Sequence, residues 1–336
     1  MTGLIVLLLT MMLMACAGQG AGHLAASPAI GDALSLNEPR GVPELADHAF
    51  VAADGATLPL RVWLPDGPPK TVILALHGFN DYSNAFADPA KEWARHGIAT
   101  YAYDQRGFGE APLRGRWVGA RQLASDVSAA SRLLRARNPS TPLYLLGESM
   151  GGAVVISAVT GAAGGPRPSA DGIILVAPAV WGRTGMNALE RAALWTGDQL
   201  FPDLTLAPRG LGITPSDNVE MLRALARDKL VIKETRVDTI KGLVDLMDTA
   251  LAAAPEVSAP MLFLYGGRDE IVPRAATEMW LADLPAATLM TRRIALYRNG
   301  YHMLLRDLEA PLVWRDVESW ISDHRAPLPS AADEMT

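Results

Sequence analysis

The stretch LYLLGESMGGAVV, residues 143–155, decides the fold class. Residues 143–146 form a short apolar run typical of a buried strand, and a second apolar run that suits a helix begins at Met150. Between the two runs lies GESMG, which matches the pattern G-x-S-x-G. A strand, a sharp turn and a helix in this order present a serine hydroxyl above the sheet, at a helix N-terminus that favours negative charge. Ser149 is therefore the candidate nucleophile.

The sequence on either side of this stretch alternates short apolar runs with amphipathic segments. Strands are predicted over residues 71–76, 98–103, 143–146, 173–176, 261–265 and 291–297. Helices are predicted over residues 85–96, 122–137, 150–162, 274–284 and 312–324. A hairpin is predicted over residues 50–64, where Asp54-Gly55 separates two strand-like runs. This alternation indicates an α/β fold with a mostly parallel sheet flanked by helices on both faces.

One interval interrupts the alternation. Between Pro178 and Pro260 no strand is convincing, whereas helical spacings recur, and the interval far exceeds an ordinary crossover of about a dozen residues. We therefore predict a helical cap inserted into the α/β core. The predicted organisation is a lipoprotein-type signal peptide at 1–15, a flexible tether at 16–44, the core at 45–178 and 259–325, the cap at 179–258 and a C-terminal tail at 326–336.

The candidate base and acid follow later strands. A serine hydroxyl becomes a good nucleophile only when a base removes its proton. Of the six histidines, His302 lies in a loop at the carboxyl end of the last predicted strand. A carboxylate must orient that imidazole, and Asp269 follows the strand 261–265. Glu270 is the adjacent alternative, and the chain order nucleophile, acid, histidine supports Asp269.

Acyl transfer to a serine also requires two backbone N–H donors that stabilise the oxyanion. The Met150 amide is one candidate, because it follows the nucleophile directly. The turn His77-Gly78 after the strand 71–76 presents the second, which we assign to the Phe79 amide.

Composition excludes several other classes of function. The net charge is −6 and the five lysines form no run, so the chain lacks the basic face of a nucleic-acid binder. The only cysteine is Cys16, which excludes intramolecular disulfides and places no cysteine-based metal site or nucleophile in the folded body. No histidine pair has metal-ligand spacing and no glycine-rich phosphate loop follows a strand, so neither a metal nor an organic cofactor is predicted.

Five motifs in order give the chain a resemblance to a known family. They are HGFNDYS at 77–83, DQRGFG at 104–109, GESMGG at 147–152, GRDEIVP at 267–273 and GYH at 300–302. Over roughly residues 50–323 the chain resembles the α/β-hydrolases, and among them the monoacylglycerol lipase and lysophospholipase group, also classed with the S33 serine aminopeptidases. The resemblance implies the α/β-hydrolase fold with an inserted cap, and a serine ester hydrolase acting through Ser149, Asp269 and His302.

The loop at 77–83, called the oxyanion loop because it carries the Phe79 amide, departs from the family pattern. That loop commonly reads His-Gly-x-x-Glu-His-Ser, whereas Asp81 and Tyr82 replace the Glu-His pair here. The turn residues Asp104 and Arg106 offer no triad role, so we predict that they stabilise their turn. The oligomeric state stays open.

The resemblance implies a small-molecule substrate, namely a single-chain lipid ester of the monoacylglycerol or lysophospholipid type, cleaved through an acyl-enzyme. Apolar residues early in the predicted cap suit an acyl chain: Trp181, Met186, Leu189, Leu194, Trp195, Leu200 and Phe201. Two alternatives stay open. One keeps the triad in a short-chain or aromatic carboxylesterase or an S33-like peptidase, and the other is a lipoprotein that serves as a binding module without turnover.

The N-terminus predicts a membrane anchor. Residues 4–14 form an apolar run too short to cross a bilayer, and the segment LMAC at 13–16 resembles a bacterial lipobox with Cys16 as the lipidated residue. No Lys or Arg precedes the run, so a plain signal peptide is the alternative. We expect the chain on a membrane surface of the bacterial cell envelope, and Ala17 favours the outer membrane over the inner.

Overall fold

The computed structural model describes residues 41–207 and 212–333. The predicted signal peptide, Cys16 and nearly all of the predicted tether lie outside the described residues. Within those ranges, every helix is too short or too polar to span a membrane.

The strands of the described residues belong to one large sheet and one short pair. Their bounds are β1 Glu44–Leu45, β2 Ala49–Val51, β3 Thr57–Trp63, β4 Thr71–Leu76, β5 Ile98–Tyr103, β6 Leu143–Glu148, β7 Gly172–Val176, β8 Thr205–Leu206, β9 Thr235–Arg236, β10 Met261–Gly266 and β11 Arg292–Tyr297. The α-helices are α1 Ala87–Arg95, α2 Ala120–Arg137, α3 Met150–Thr160, α4 Ala188–Leu200, α5 Val219–Arg227, α6 Val237–Ala252, α7 Arg274–Ala282 and α8 Ala310–Ser322.

The large sheet has the strand order β1-β2-β3-β5-β4-β6-β7-β10-β11. The pairs β1–β2, β2–β3 and β3–β5 are antiparallel, and every neighbouring pair from β5 to β11 is parallel. The predicted α/β fold class and the hairpin around Asp54-Gly55 are confirmed. Because parallel strands end at one edge, the loops after β4, β6, β10 and β11 meet there.

Two hydrophobic cores lie on opposite faces of the sheet. Successive side chains of a strand point to opposite faces, and β4 shows the result. Val72, Leu74 and Leu76 belong to the core covered by α2, α3, α6 and α7, whereas Ile73 and Ala75 belong to the core covered by α1 and α8. Burial on both faces explains why β4 reads as an unbroken apolar run.

The inserted segment between β7 and β10 contains α4, α5 and α6 together with the antiparallel pair β8–β9. The prediction of no strand in this interval is wrong for that pair, because two-residue strands are too short to show alternation. Helix α6 packs on α3, and its residues Val244, Leu246, Met247 and Ala250 are buried in the core. This helix therefore covers the sheet as well as returning the chain to β10.

The described part of the predicted C-terminal tail, residues 326–333 of 326–336, packs against the core. The Leu296 N–H in β11 donates to the carbonyl of buried Ala332 at 3.0 Å. The Ser330 N–H donates to Asp316 Oδ1 in α8, also at 3.0 Å. The sequence did not predict this packing, because a segment of eight residues is too short to show a periodic pattern of apolar residues.

Asp316→Ala is expected to lower the free energy of unfolding by about 2–4 kcal/mol, because the buried Tyr297 hydroxyl and the Ser330 amide both lose their acceptor. Urea denaturation measures the change. Arg315→Ala, at an exposed position of the same helix, should change stability by less than about 0.5 kcal/mol. Equal effects of the two substitutions would contradict the role assigned to Asp316.

Candidate active site

Ser149 occupies a sharp turn between the end of β6 and the start of α3. Its backbone has φ 53° and ψ −116°, a conformation that strains any residue with a Cβ. The Ser149 N–H donates to the Val176 carbonyl at 2.9 Å, and the Ser149 carbonyl accepts from the Ala179 N–H at 3.0 Å. Hydrogen bonds to β7 and to the segment after it therefore hold the strained residue in place.

Two glycines make the close contacts of this turn sterically allowed. A Cβ on Gly151 would lie 2.0 Å from the Leu76 carbonyl oxygen at the end of β4. A Cβ on Gly147 would lie 2.5 Å from the carbonyl carbon of Gly151. The atoms that each added Cβ would contact belong to the backbone, which cannot move aside as a flexible side chain can. Packing therefore requires both glycines of G-x-S-x-G.

Asp269 and His302 meet at the carboxyl ends of β10 and β11. His302 Nδ1 lies 2.8 Å from Asp269 Oδ2, within hydrogen-bond distance. The other carboxylate oxygen accepts from the N–H groups of Ile271 and Val272, at 2.7 and 2.9 Å. Glu270, the adjacent alternative, instead accepts from the Thr214 N–H at 2.7 Å. The structure thus brings Asp269, and not Glu270, to the imidazole.

The environment of His302 raises the pKa of its imidazole. Burial by itself lowers the pKa of His302, but the charge of Asp269 and the hydrogen bond to it outweigh burial, so the pKa is raised above its ordinary value. With Nδ1 directed at Asp269, Nε2 is the nitrogen left to exchange a proton with another group.

The loop after β4 lies beside Ser149. A Cβ on Gly78 would lie 3.4 Å from Ser149 Cβ and 4.0 Å from Ser149 Oγ, so the next residue, Phe79, is close to Ser149. The Phe79 N–H donates to no acceptor within the described ranges. Met150 is the first residue of α3, where amides have no acceptor within their own helix. Both amides predicted for the oxyanion therefore come from backbone next to Ser149.

His77 anchors the loop after β4. The imidazole is buried, its Nε2 accepts from the Gln105 N–H at 2.9 Å, and Nδ1 donates to the Gly78 carbonyl at 2.9 Å. Burial lowers the pKa of His77, which keeps the ring neutral and able to accept. Gln105 Nε2 also donates to the His77 carbonyl at 2.8 Å. His77 thus fixes the loop that carries Phe79.

The turn after β5 holds the same loop through Asp104. Asp104 Oδ1 accepts from the Ser83 N–H and hydroxyl at 3.0 and 2.5 Å, and Oδ2 accepts from the Glu110 N–H at 2.9 Å. Arg106 Nε donates to buried Asp126 at 2.7 Å. The predicted turn-stabilising role of Asp104 is confirmed, whereas Arg106 connects the turn to α2.

Tyr82, one of the departures from the family pattern, connects the loop to the insertion. Its hydroxyl donates to Asp228 Oδ2 at 2.7 Å, and the Arg61 guanidinium carbon lies 5.5 Å from its ring centroid. Burial and the bond to Asp228 raise the pKa of Tyr82. The Asn80 carbonyl accepts from the Ile232 N–H at 2.9 Å. Inserted residues thus dock on the oxyanion loop.

A second inserted segment docks on the loop between β11 and α8, residues 298–309. This loop carries His302 and is called the histidine loop. The Met303 N–H donates to the Pro215 carbonyl at 3.0 Å, and the Ser216 hydroxyl donates to Asp307 Oδ1 at 2.6 Å. Asp307 Oδ2 accepts from the Tyr301 N–H at 2.8 Å, next to His302. Burial raises the pKa of Asp307 to about 6.

Sequence reasoning missed Arg306, which lies four residues after His302 with its side chain only 10% exposed. Its guanidinium donates to Asp81 at 2.7 Å and to Glu148 at 3.1 Å. Asp81, the other departure from the family pattern, is therefore the acceptor of a buried cation. The only signal in the sequence was a cation close to the candidate histidine, which spacing alone does not connect to residues 81 and 148.

The apolar residues of the insertion separate into two sets. Met186 is buried, and Trp181 and Leu194 pack partly buried against the core. Four others are exposed at or just after α4: Leu189, Trp195, Leu200 and Phe201. In the part of the chain that the structure describes, no cluster of three His, Cys, Asp or Glu side chains could hold a metal ion.

Known proteins similar to this chain identify its family. A family model described as "Serine aminopeptidase, S33" matches residues 67–309. The chain belongs to this family. It is 26% identical over 294 residues to the monoacylglycerol lipase of Mycolicibacterium smegmatis, covering 83% of this chain and 98% of that protein. It is 25% identical over 308 residues to the monoglyceride lipase of Homo sapiens, covering 88% and 96%.

Solved structures agree on the fold. The monoacylglycerol lipase of Paleococcus ferrophilus superposes with a TM-score of 0.63 at 20% identity, covering 80% of this chain and 99% of that one. A soluble variant of the Saccharomyces cerevisiae monoglyceride lipase gives 0.65 at 17% identity, covering 92% and 100%. The expected α/β-hydrolase fold and the resemblance to the monoacylglycerol lipase and S33 group are confirmed. The chain is a serine hydrolase of that group.

Gly151→Ala should lower the hydrolysis of p-nitrophenyl esters by more than about 100-fold, because the added Cβ displaces the turn that carries Ser149. Kinetics together with urea denaturation separate misplacement from unfolding. Gly41→Ala is the matched control, since its Cβ would meet only the Ala53 carbonyl at 3.9 Å. Unchanged activity in Gly151→Ala would contradict the packing described for the turn.

Proposed function

We propose that this hydrolase cleaves single-chain lipid esters, of the monoacylglycerol or lysophospholipid type, through a triad of Ser149, His302 and Asp269. The observation that carries the proposal is the 2.8 Å contact between His302 Nδ1 and Asp269 Oδ2, at the edge of the sheet where the turn of Ser149 lies. Relatives named monoacylglycerol lipase in Mycolicibacterium smegmatis and monoglyceride lipase in Homo sapiens support the substrate class.

The proposed reaction proceeds in two halves. His302 Nε2 accepts the proton of Ser149 as the serine oxygen attacks the ester carbonyl, and Asp269 stabilises the imidazolium that forms. The amides of Phe79 and Met150 donate to the oxyanion. His302 then protonates the leaving alcohol, and the acyl-enzyme remains. Water, deprotonated by the same histidine, releases the fatty acid and restores Ser149.

The exposed apolar side chains of the insertion support a lipid substrate. Leu189, Trp195, Leu200 and Phe201 retain exposed fractions of 65%, 64%, 63% and 50%. A helix with such residues on its surface suits contact with aggregated lipid, where a lipid ester is concentrated. A water-soluble ester would require no such surface.

The test is hydrolysis of p-nitrophenyl esters with acyl chains from two to sixteen carbons, followed by monoacylglycerol and lysophosphatidylcholine. We expect medium or long chains to be preferred, and Ser149→Ala to lower kcat by about 10³-fold or more. Ser157→Ala, a buried serine of α3 outside the proposed triad, is the matched control.

Other outcomes discriminate the alternatives. A preference for acetate or butyrate that still requires Ser149 would favour a short-chain esterase, and cleavage of aminoacyl anilides would favour a peptidase. Full activity of Ser149→Ala would contradict the triad, and no turnover of any substrate would favour a binding module.

We further propose that Cys16 carries a lipid that holds the enzyme on a membrane of the bacterial envelope, more specifically the outer membrane. The apolar run of residues 4–14, the small Ala15 before the sole cysteine and the non-acidic Ala17 support this proposal. An anchor would place the hydrolase beside lipid substrates.

Cys16→Ser should abolish incorporation of labelled palmitate in a bacterial host and release the protein from the membrane fraction, because the thiol is the site of acylation. Ala17→Ser keeps the cysteine and serves as the control. Palmitate incorporation that persists in Cys16→Ser, or a wild-type protein that takes up no label, would contradict the anchor.

A further inference from the structure

A buried ion cluster lies next to His302. It consists of Arg306, Asp81 and Glu148, defined here as the arginine cluster. Arg306 Nη1 donates to Asp81 Oδ2 at 2.7 Å and Nη2 donates to Glu148 Oε2 at 3.1 Å. The side chains retain exposed fractions of only 10%, 8% and 3%, so solvent does not separate the charges.

Each member of the arginine cluster belongs to a different segment of the proposed site. Asp81 lies two residues after Phe79 in the oxyanion loop. Glu148 ends β6 and directly precedes Ser149. Arg306 lies in the loop of His302. One guanidinium therefore joins the three segments that place the donor amide, the nucleophile and the base.

Asp81 and Arg306 are also held by further hydrogen bonds. Asp81 Oδ1 accepts from the Tyr82 N–H at 2.9 Å, so this carboxylate cannot turn freely. The backbone carbonyl of Arg306 accepts from Asn218 Nδ2 at 3.0 Å, and the Arg306 N–H donates to the Met303 carbonyl at 2.8 Å. Movement of one segment would therefore be transmitted to the other two.

Stability alone is a weak explanation for such a cluster. Arg306 Nε and Glu148 Oε1 are buried and lack a hydrogen-bond partner among the described residues. An apolar trio of similar volume would avoid the cost of removing these charges from water. A planar guanidinium can donate to two carboxylates at once in a fixed geometry, which a lysine ammonium cannot reproduce.

We propose that Arg306 is a positioning residue for the hydrolysis: through Asp81 and Glu148 it fixes the oxyanion loop, the serine turn and the histidine loop relative to one another. This inference rests on the proposed function. Arg306 acts through other residues, since the side-chain hydrogen bonds that its guanidinium donates within the described residues go to Asp81 and Glu148 and not to Ser149, His302 or Asp269.

The cluster also acts on His302 through its charges. The charged groups around His302 are Asp269 after β10, Glu148 at the end of β6, and Arg306 and Asp307 in its own loop. The negative charge of Glu148 raises the pKa of His302 and the positive charge of Arg306 lowers it. Removing the charge of Glu148 should therefore lower the pKa of the base.

Arg306→Lys tests the positioning role, because lysine keeps the positive charge but lacks the planar guanidinium that donates to two carboxylates at once. We expect kcat for the preferred ester to fall by roughly 10- to 100-fold while KM stays within about threefold. The reason is that the oxyanion loop, the serine turn and the histidine loop are no longer fixed relative to one another. Arg95→Lys, in an exposed ion pair with Glu92 on α1, is the matched control and should leave both constants unchanged.

Glu148→Gln provides a second measurement that needs no activity. In a Ser149→Ala background, the pKa of His302 is read from the NMR titration of its imidazole. Glu148→Gln should lower that pKa, and in the active enzyme it should move the acid limb of kcat/KM to lower pH. Glu92→Gln, half-buried on α1 and paired with Arg95, should leave the titration of His302 unchanged.

The two readouts separate this inference from the proposed function. If Ser149→Ala hydrolysed esters normally, the proposed function would fail, and the NMR titration would still decide the link from Glu148 to His302. If Ser149 proved essential but Arg306→Lys kept its kcat, or Glu148→Gln left the pKa of His302 unchanged, only the positioning role would be overturned. If Arg306→Lys failed to fold, Glu148→Gln would decide.

Discussion

The strained backbone of Ser149 is the constraint on which the rest of the site depends. A residue with a Cβ at φ 53° persists only where its surroundings leave no alternative, and here β7 and the segment after it bind its N–H and carbonyl. Gly151 allows α3 to start against the end of β4, so the serine is raised at the edge of the sheet. The two buried cores that flank the sheet supply the rigidity for this turn.

Parallel pairing then explains how residues far apart in the chain reach the same place. Strands β10 and β11 are parallel neighbours, so the loops that carry Asp269 and His302 leave the sheet side by side. The inserted segment closes over the same edge, because Asp228 binds the oxyanion loop and Ser216 binds the histidine loop. The site is thus assembled from the sheet edge and from two segments of the insertion that dock on it.

The sequence predicted best those features that a local pattern determines. Strands β4 and β5 appear with the predicted bounds, because their apolar runs are buried on both faces. Strand β6 extends two residues further than predicted, to Glu148, because Gly147 and Glu148 still pair with β7. The G-x-S-x-G turn was predictable because its glycines, its serine and its helix are contiguous.

Other features depend on contacts between distant segments, which spacing cannot show. The link of Arg306 to Asp81 and Glu148 joins residues more than 150 positions apart. The choice of Asp269 over Glu270 depends on which carboxylate the turn directs at His302. The packing of α6 on α3 likewise follows from the path of the chain after the insertion, which no helical period encodes.

The most direct test of the account is the reaction of the enzyme with a long-chain alkyl fluorophosphonate, followed by mass spectrometry of the labelled peptide. If His302 activates Ser149, one adduct forms, on Ser149, and it forms at least about 10³-fold more slowly in His302→Ala. An adduct on another residue, or an equal rate of labelling in His302→Ala, would contradict the claim that this serine is activated by this histidine.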